Sequence, residues 1–163
     1  MTTPYIIEPL TAKHNREAFD CGEASLNEFL KRYARQNDER GLGRTCVAVI
    51  KDEPHIYGYY TIANGSVQFD TIPEKLPRYP IPSIHLGRLA VANAAKGQRL
   101  GRALLAHALE RAVSIADQIG IYAVEVYALN ESAREFYLKC GFTELLDHRL
   151  HLYMTIKKIR TLV

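Results

Sequence analysis

The chain is poor in cysteine and has no long apolar run. Its three cysteines, Cys21, Cys46 and Cys140, are odd in number, far apart and without a CxxC pair. That pattern excludes a disulfide framework and suits reduced, buried or half-buried thiols in a cytoplasmic protein. No stretch approaches the roughly 20 apolar residues of a membrane-spanning helix. The N-terminal MTTPYIIEPL lacks the basic and apolar regions of a secretion signal. Six histidines are present, with no HExxH and no Cys/His pairing, which argues against a metal site. Internal repeats and linkers are absent as well.

What is present is ordinary for a folded domain. Hydrophobic residues make up 47% and charged residues 24% of 163 positions. This composition excludes disorder, and the length suits one domain over residues 1–163. The formal charge is only +3, but it is unevenly spread. Lys31, Arg32, Arg35, Arg40 and Arg44 face only Asp38 and Glu39 in the same stretch. Such a cluster fits either a polyanionic partner or a solvated helix face.

Periodicity supplies the elements. Ser25-Leu26-Asn27-Glu28 fits a capping box. Leu26, Phe29, Leu30 and Tyr33 follow at helical spacing and predict a buried face, with Lys31, Arg32 and Arg35 outside and an end near Gly41 and Gly43. Residues 45–50 and 56–67 read as strands around a Lys51–Pro54 turn, and 70–82 as a proline-rich excursion. Residues 84–91 form a strand, 98–118 a long helix and 122–128 another strand. Asn130 caps a helix through Lys139 that stops at Gly141. Leu150, Leu152, Met154 and Ile156 alternate as in a final half-buried strand. The order β-α-β-β-β-α-β-α-β makes a mixed α/β domain with one central sheet.

The chemistry concentrates in two places. Leu86-Gly87-Arg88-Leu89-Ala90-Val91, followed by Lys96-Gly97-Gln98-Arg99-Leu100-Gly101-Arg102, is a strand, a glycine-bearing turn and a helix start. Unpaired helix-start amides and the positive dipole end can receive a pyrophosphate. Asn130-x-x-Ala133-x-x-Phe136-Tyr137-x-Lys139-x-Gly141-Phe142 is a capped amphipathic helix, in which Tyr137 could be plain packing.

Both segments resemble motifs of the GCN5-related N-acetyltransferases. The first is similar to Q/R-x-x-G-x-G/A, with Lys96, Arg99 and Gly101 at its defining positions. Arg99 departs from the expected glycine, and a negative φ there would still let it offer its amide. The second matches N-x-x-A-x-x-F-Y-x-K-x-G-F throughout. Phe19-Asp20-Cys21-Gly22, Leu26-x-x-Phe29-Leu30, Gly58-Tyr59-Tyr60-Thr61-Ile62-Ala63-x-Gly65-Ser66-Val67 and the 86–91 strand extend the resemblance over residues 19–156. In these stretches the chain is most similar to the GNAT-type toxins of toxin–antitoxin systems.

The resemblance implies a mostly antiparallel sheet flanked by helices. It also implies acetyl-CoA held by Leu89, Ala90, Val91, Lys96, Gly97, Gln98, Arg99, Leu100, Gly101, Arg102, Asn130 and Phe136. Tyr137 would protonate the departing thiolate. The implied acceptor is the α-amine of aminoacyl-tRNA, with Lys31, Arg32, Arg35 and Arg88 toward RNA. The implied partners are a ribbon-helix-helix antitoxin and a second copy of the chain. An α-amine, with a reference pKa near 7.7–8.0, needs no strong enzymic base, and the sequence singles out no histidine or carboxylate for that role. Acetylation of a small amine, peptide or protein N-terminus, or a non-catalytic partner-binding module, are the alternatives.

Overall fold

β-Branched and aromatic runs become strands, and the 3.6-residue periods become helices. The computed structural model describes residues 4–163. Its strands are β1 (Tyr5–Pro9), β2 (Arg44–Ile50), β3 (Gly58–Val67), β4 (Ile81–Val91), β5 (Ala123–Tyr127), β6 (Thr143–Glu144) and β7 (His151–Thr155). The helices are α1 (Ala24–Arg32), α2 (Ala34–Glu39), α3 (Leu100–Ala116), α4 (Glu131–Lys139) and α5 (Ile156–Leu162). The strand order is β1-β2-β3-β4-β5-β7-β6. The β1–β2, β2–β3, β5–β7 and β6–β7 pairs are antiparallel and β4–β5 is parallel, which is the mixed, mostly antiparallel sheet expected.

The chain divides into two compact units. One comprises the described residues through Ala63 together with Arg88–Ala108, the other Asn64–Gly87 with Leu109–Val163. The first packs Phe19, Phe29, Leu30, Val47, Val49, Ile56 and Tyr59 into its core. Gly58 matters there, because a Cβ on it would stand 2.8 Å from Leu104 Cδ1 and 3.0 Å from the Ala90 carbonyl. A side chain at 58 would therefore push the start of α3 away. The second unit is built around Val67, Ile72, Ile81, Ala123, Leu145 and Tyr153.

Several local expectations change. Glu23, not Ser25, stands at the N-cap of α1, without a side-chain bond. Asp20 and Asn27 organise this start instead. Asp20 accepts from the Gly22 amide (2.9 Å) and Asn27 Nδ2 (3.0 Å), and Asn27 Oδ1 accepts from the Cys21 amide (2.9 Å). The helix also breaks at Tyr33, which is exposed rather than on the buried face. Arg16 donates to the Lys31 carbonyl at 2.9 Å, an acceptor that an uninterrupted helix would offer to residue 35. The last strand ends at Thr155, is buried on both faces, and is followed by α5, capped by Thr155 through the Lys158 amide. β6 was not expected.

Candidate active site

The β4–α3 connection is pinned along its length. The Ala92 amide donates to the Tyr57 carbonyl (2.8 Å) and the Asn93 amide to that of Asp20 (2.9 Å). Lys96 Nζ donates to the Cys21 carbonyl (2.7 Å), and the Tyr5 hydroxyl to Gln98 Oε1 (2.9 Å). Lys96, first in the motif, therefore fastens the loop to the segment before α1. Sequence reasoning noticed Asp20 and Cys21 only as resemblance, and their task here is to hold this turn.

Two residues in the turn have left-handed backbone, Gly97 (φ +83°) and Arg99 (φ +62°). The expected negative φ at Arg99 is thus corrected. Arg99 adopts the conformation for which glycine is favoured, and stays there because its carbonyl accepts the first helical bond of α3, from the Ala103 amide (3.2 Å). A guanidinium has no acceptor atom, so Arg99 cannot cap the helix with its own side chain. The amides of Leu100, Gly101 and Arg102 are those that a helix start leaves without intrahelical partners. Around them Gly97, Gln98, Arg99 and Arg102 are exposed, and no atom lies within 4 Å of where a Gly97 Cβ would stand. These amides and the positive dipole end fit a pyrophosphate. Leu89 and Val91 are half-buried and Ala90 and Leu100 buried.

The other cations are tied to the protein. Arg88 Cζ lies 3.6 Å from the centroid of the Phe29 ring, which stacks on Tyr59 (6.3 Å, 17°). Tyr59 is buried, which pushes its phenol well above the usual range, and its hydroxyl donates to the Leu26 carbonyl (2.8 Å). Arg88 thus braces α1 through a cation–π stack. Arg32 pairs with Glu28 (2.7 Å), Arg35 with Glu39 (3.3 Å) and Arg44 with Asp38 (2.9 Å). Exposed pairs of this kind contribute about 0–1 kcal/mol, so a phosphate can replace the acid at little cost. Lys31 is half-buried.

In the second unit, Asn130 caps α4 as expected, its side chain accepting from the Ala133 amide at 2.9 Å. Phe136 is half-buried, and Tyr137 is the buried member of the pair, in edge contact with Phe136 (5.2 Å) and Phe142 (5.4 Å). Burial pushes the Tyr137 phenol well above its ordinary value, so it stays protonated and available as a donor. Gly141 closes the helix at φ +107°.

A cluster that sequence reasoning missed joins β4, β5 and β7. Glu125 is buried; one of its oxygens bonds His85 Nδ1 and the other bonds His151 Nε2 at 2.5 Å. His151 Nδ1 meets both oxygens of Asp147 at 2.9 and 3.0 Å, and Tyr127 stacks on the His151 ring (4.1 Å, 9°). Burial alone would raise the Glu125 carboxyl, but the two imidazole bonds outweigh it and bring it down to about 2. Burial likewise opposes charge on His151, and the bonds to Glu125 and Asp147 outweigh it and raise its pKa. The available signal was a glutamate between valines in Ala123-Val124-Glu125-Val126, with His85 in its register partner strand. Among the described residues, no group of three or more His, Cys, Asp or Glu side chains is placed to hold a metal ion.

Known proteins share this architecture. The Acetyltransferase (GNAT) domain family matches residues 43–144. A tRNA-acetylating toxin of Mycobacterium tuberculosis is 37% identical over 149 residues, covering 90% of this chain and 89% of the relative. The structure of AtaT complexed with acetyl-methionyl-tRNAfMet has a TM-score of 0.91 at 33% identity, covering 97% of this chain and 98% of that one. A Tyr-to-Phe AtaT mutant bound to the C-terminus of the antitoxin AtaR and acetyl-CoA has a TM-score of 0.86 at 32% identity, covering 98% of both chains. A strand, a pinned turn and an open helix start, with a capped Tyr-bearing helix and this extent of likeness, make the chain a member of the GNAT acetyltransferase family.

Proposed function

We propose that the chain is the toxin of a toxin–antitoxin pair, transferring acetyl from acetyl-CoA to the α-amine of aminoacyl-tRNA and so blocking translation. The observation that carries this reading is likeness along nearly the whole chain to AtaT, whose structure holds acetyl-methionyl-tRNAfMet. The helix-start amides of Leu100, Gly101 and Arg102, with Gly97, Gln98, Arg99 and Arg102, hold the pyrophosphate of the acetyl donor, and Lys96 fixes the turn. Backbone amides of Leu89–Val91 stabilise charge developing on the thioester carbonyl oxygen. Asn130 and Phe136 contact the pantetheine arm. The amine forms the C–N bond and releases one proton to solvent, the C–S bond breaks, and Tyr137 gives its proton to the departing thiolate and regains one from solvent.

The acceptor chemistry agrees. An α-amine of reference pKa near 7.7–8.0 is substantially free base at neutral pH, whereas a lysine ε-amine near 10.4 is not. Arg32 and Arg35 exchange their carboxylate partners for RNA phosphates, so binding weakens steeply with salt. A ribbon-helix-helix antitoxin, a second copy of the chain and a cytoplasmic location complete the reading. No helix among the described residues is long and apolar enough to cross a membrane.

The test is transfer of label from acetyl-CoA to bulk charged tRNA, beside uncharged tRNA, a peptide and a polyamine. Label entering only charged tRNA supports the reading. Label entering the peptide or polyamine instead keeps an acetyltransferase and discards the toxin. No transfer, with no thermal stabilisation by acetyl-CoA, favours a non-catalytic binding module.

A further inference from the structure

The first unit turns an aromatic ring outward where helical spacing expects it buried. Tyr33 follows Phe29 by four residues, the spacing of one helix face, yet it is 49% exposed while Ala34 beside it is buried. The cause is the break between α1 and α2. Tyr33 has φ −118° and ψ −30°. Its amide still closes α1 on the Phe29 carbonyl (2.9 Å), and its carbonyl opens α2 by accepting from the Asn37 amide (2.8 Å). Arg16 holds the break by taking the Lys31 carbonyl. The small residue is thus turned in and the large aromatic turned out, the reverse of what burial favours. Among the described residues the Tyr33 ring meets Phe29, and its hydroxyl has no hydrogen-bond partner.

Tyr33 belongs to a larger array. Its ring lies 6.5 Å from that of Phe29, at 32°, and the same Phe29 ring carries the Arg88 guanidinium 3.6 Å from its centroid. Arg88 is half-buried, and among the described residues neither a carboxylate nor another acceptor pairs with its five N–H donors. Arg32, Arg35 and Arg44, by contrast, are each bonded to an acid. Arg88 and Ala90 are two residues apart on β4, and both pack with Phe29. The guanidinium therefore leaves the strand on the face of Ala90, next in the chain to the Leu89–Val91 amides. An exposed ring, a buried ring and a cation without an acid form one continuous surface, flanked in sequence by Arg32 and Arg35. Unpaired nucleotides bind such surfaces, their bases stacking on π-faces and their phosphates meeting the cations. An acidic protein segment would use the cations and leave the open ring idle.

We propose that Tyr33 is a stacking platform for an unpaired base at the 3′ end of the acceptor RNA, with Arg88 giving its donors to an adjacent phosphate. This rests on the proposed function and deepens it. The aminoacyl group is carried on the 3′-terminal ribose, so the nucleotides nearest the reacting amine are those that pass the strand bearing the thioester amides. The platform reads no sequence, because every base has a π-face. It selects an open end over a paired one, while Arg32 and Arg35 supply affinity along the phosphate backbone. Stacking uses the ring and not the hydroxyl, so phenylalanine can replace Tyr33 and alanine cannot. Nor does stacking release counterions, so its loss leaves the salt dependence of binding unchanged, unlike loss of a phosphate contact.

The full chain is titrated into two fluorescent RNA hairpins of the same stem, one with an unpaired 3′ tail and one blunt, at several salt concentrations. Wild type, Tyr33→Ala, Tyr33→Phe and Arg88→Gln are compared. Expected is a preference of wild type for the tailed hairpin of about 10-fold, the scale of one stacked base. Tyr33→Ala loses that preference with the slope of log Kd against log salt unchanged, and Tyr33→Phe keeps it. Arg88→Gln lowers the slope on the tailed hairpin by about 1. Thermal stabilisation by acetyl-CoA stays at the wild-type value in both Tyr33 variants, which separates a binding role from damage to α1 and α2. Equal binding of the two hairpins by wild type, a preserved preference in Tyr33→Ala, or a lost one in Tyr33→Phe overturns the platform while leaving tRNA acetylation standing. An unmoved slope in Arg88→Gln overturns the phosphate contact. Binding of neither hairpin overturns the platform too, and absence of transfer to charged tRNA takes the proposed function with it.

Discussion

Arg99 offers a direct measurement of what a motif glycine is worth. Its φ of +62° places a side chain in a region that costs a non-glycine residue about 1–2 kcal/mol. Arg99→Gly removes that strain but adds unfolded-state freedom worth about 0.4–1 kcal/mol, so its net effect lies between neutral and about 1.6 kcal/mol stabilising. Arg99→Ala also deletes the cation, yet keeps the strain. Glycine is the better residue than alanine at a helix N-cap as well. The glycine variant should therefore exceed the alanine variant by about 1 kcal/mol, or about 2–4 °C in Tm for a chain of this size. Differential scanning calorimetry without ligand measures this. A glycine variant no more stable than the alanine one would refute the left-handed geometry and the argument built on it. Calorimetric titration with acetyl-CoA then isolates the charge. Arg99→Gly is expected to retain or tighten binding, since the backbone amides remain and approach is easier. An equal weakening of about 10-fold or more in both variants, worth about 1.4 kcal/mol, would instead make the guanidinium a phosphate ligand.

Tyr137→Phe keeps the ring packed against Phe136 and Phe142, so kcat should fall by about 10²–10⁴-fold with acetyl-CoA affinity little changed; wild-type turnover would remove Tyr137 from the reaction. Gly58→Ala drives a methyl to 2.8 Å from Leu104 and 3.0 Å from the Ala90 carbonyl, and such overpacking costs about 1–3 kcal/mol, read as a lower urea midpoint with weaker acetyl-CoA binding. Glu125 and His151 give stability a two-sided pH dependence. The Glu125 contribution is complete above 4.5 and lost as pH falls toward about 2; that of His151 is complete below 6.5 and lost as pH rises through its raised folded value. The stability difference between wild type and Glu125→Gln in urea should therefore be greatest between those limits, and a difference still growing above 6.5 would contradict the sign.

The legible parts of the sequence were those whose cause is local. Asn130 announces its helix because the cap and the amide it satisfies lie three residues apart. The β4–α3 turn is visible because an apolar strand, a glycine and a 3.6-residue period follow in order. The break at Tyr33 was not visible. It coincides with Arg16 bonding the Lys31 carbonyl across 15 positions, and no period within the helix carries that information. The same holds for Lys96, which looks like a phosphate cation from its motif position and is bonded to the Cys21 carbonyl 75 positions away. Nor could the motif tell that Arg99 would accept a glycine's backbone.

Glu125 shows why a site can be hidden and yet leave a trace. In isolation, a carboxylate between valines in a buried strand is an energetic contradiction, because burying an unpaired charge costs several kcal/mol. Sequence reasoning can see the contradiction but not its resolution, since the compensating groups arrive by register from strands 40 and 26 positions away. One imidazole would have sufficed to pair the charge. Two are present, and the second is itself held by Asp147, so the arrangement exceeds what burial of Glu125 requires. The excess falls on His85, the one member of the Glu125–His151 group whose ring is substantially open to solvent.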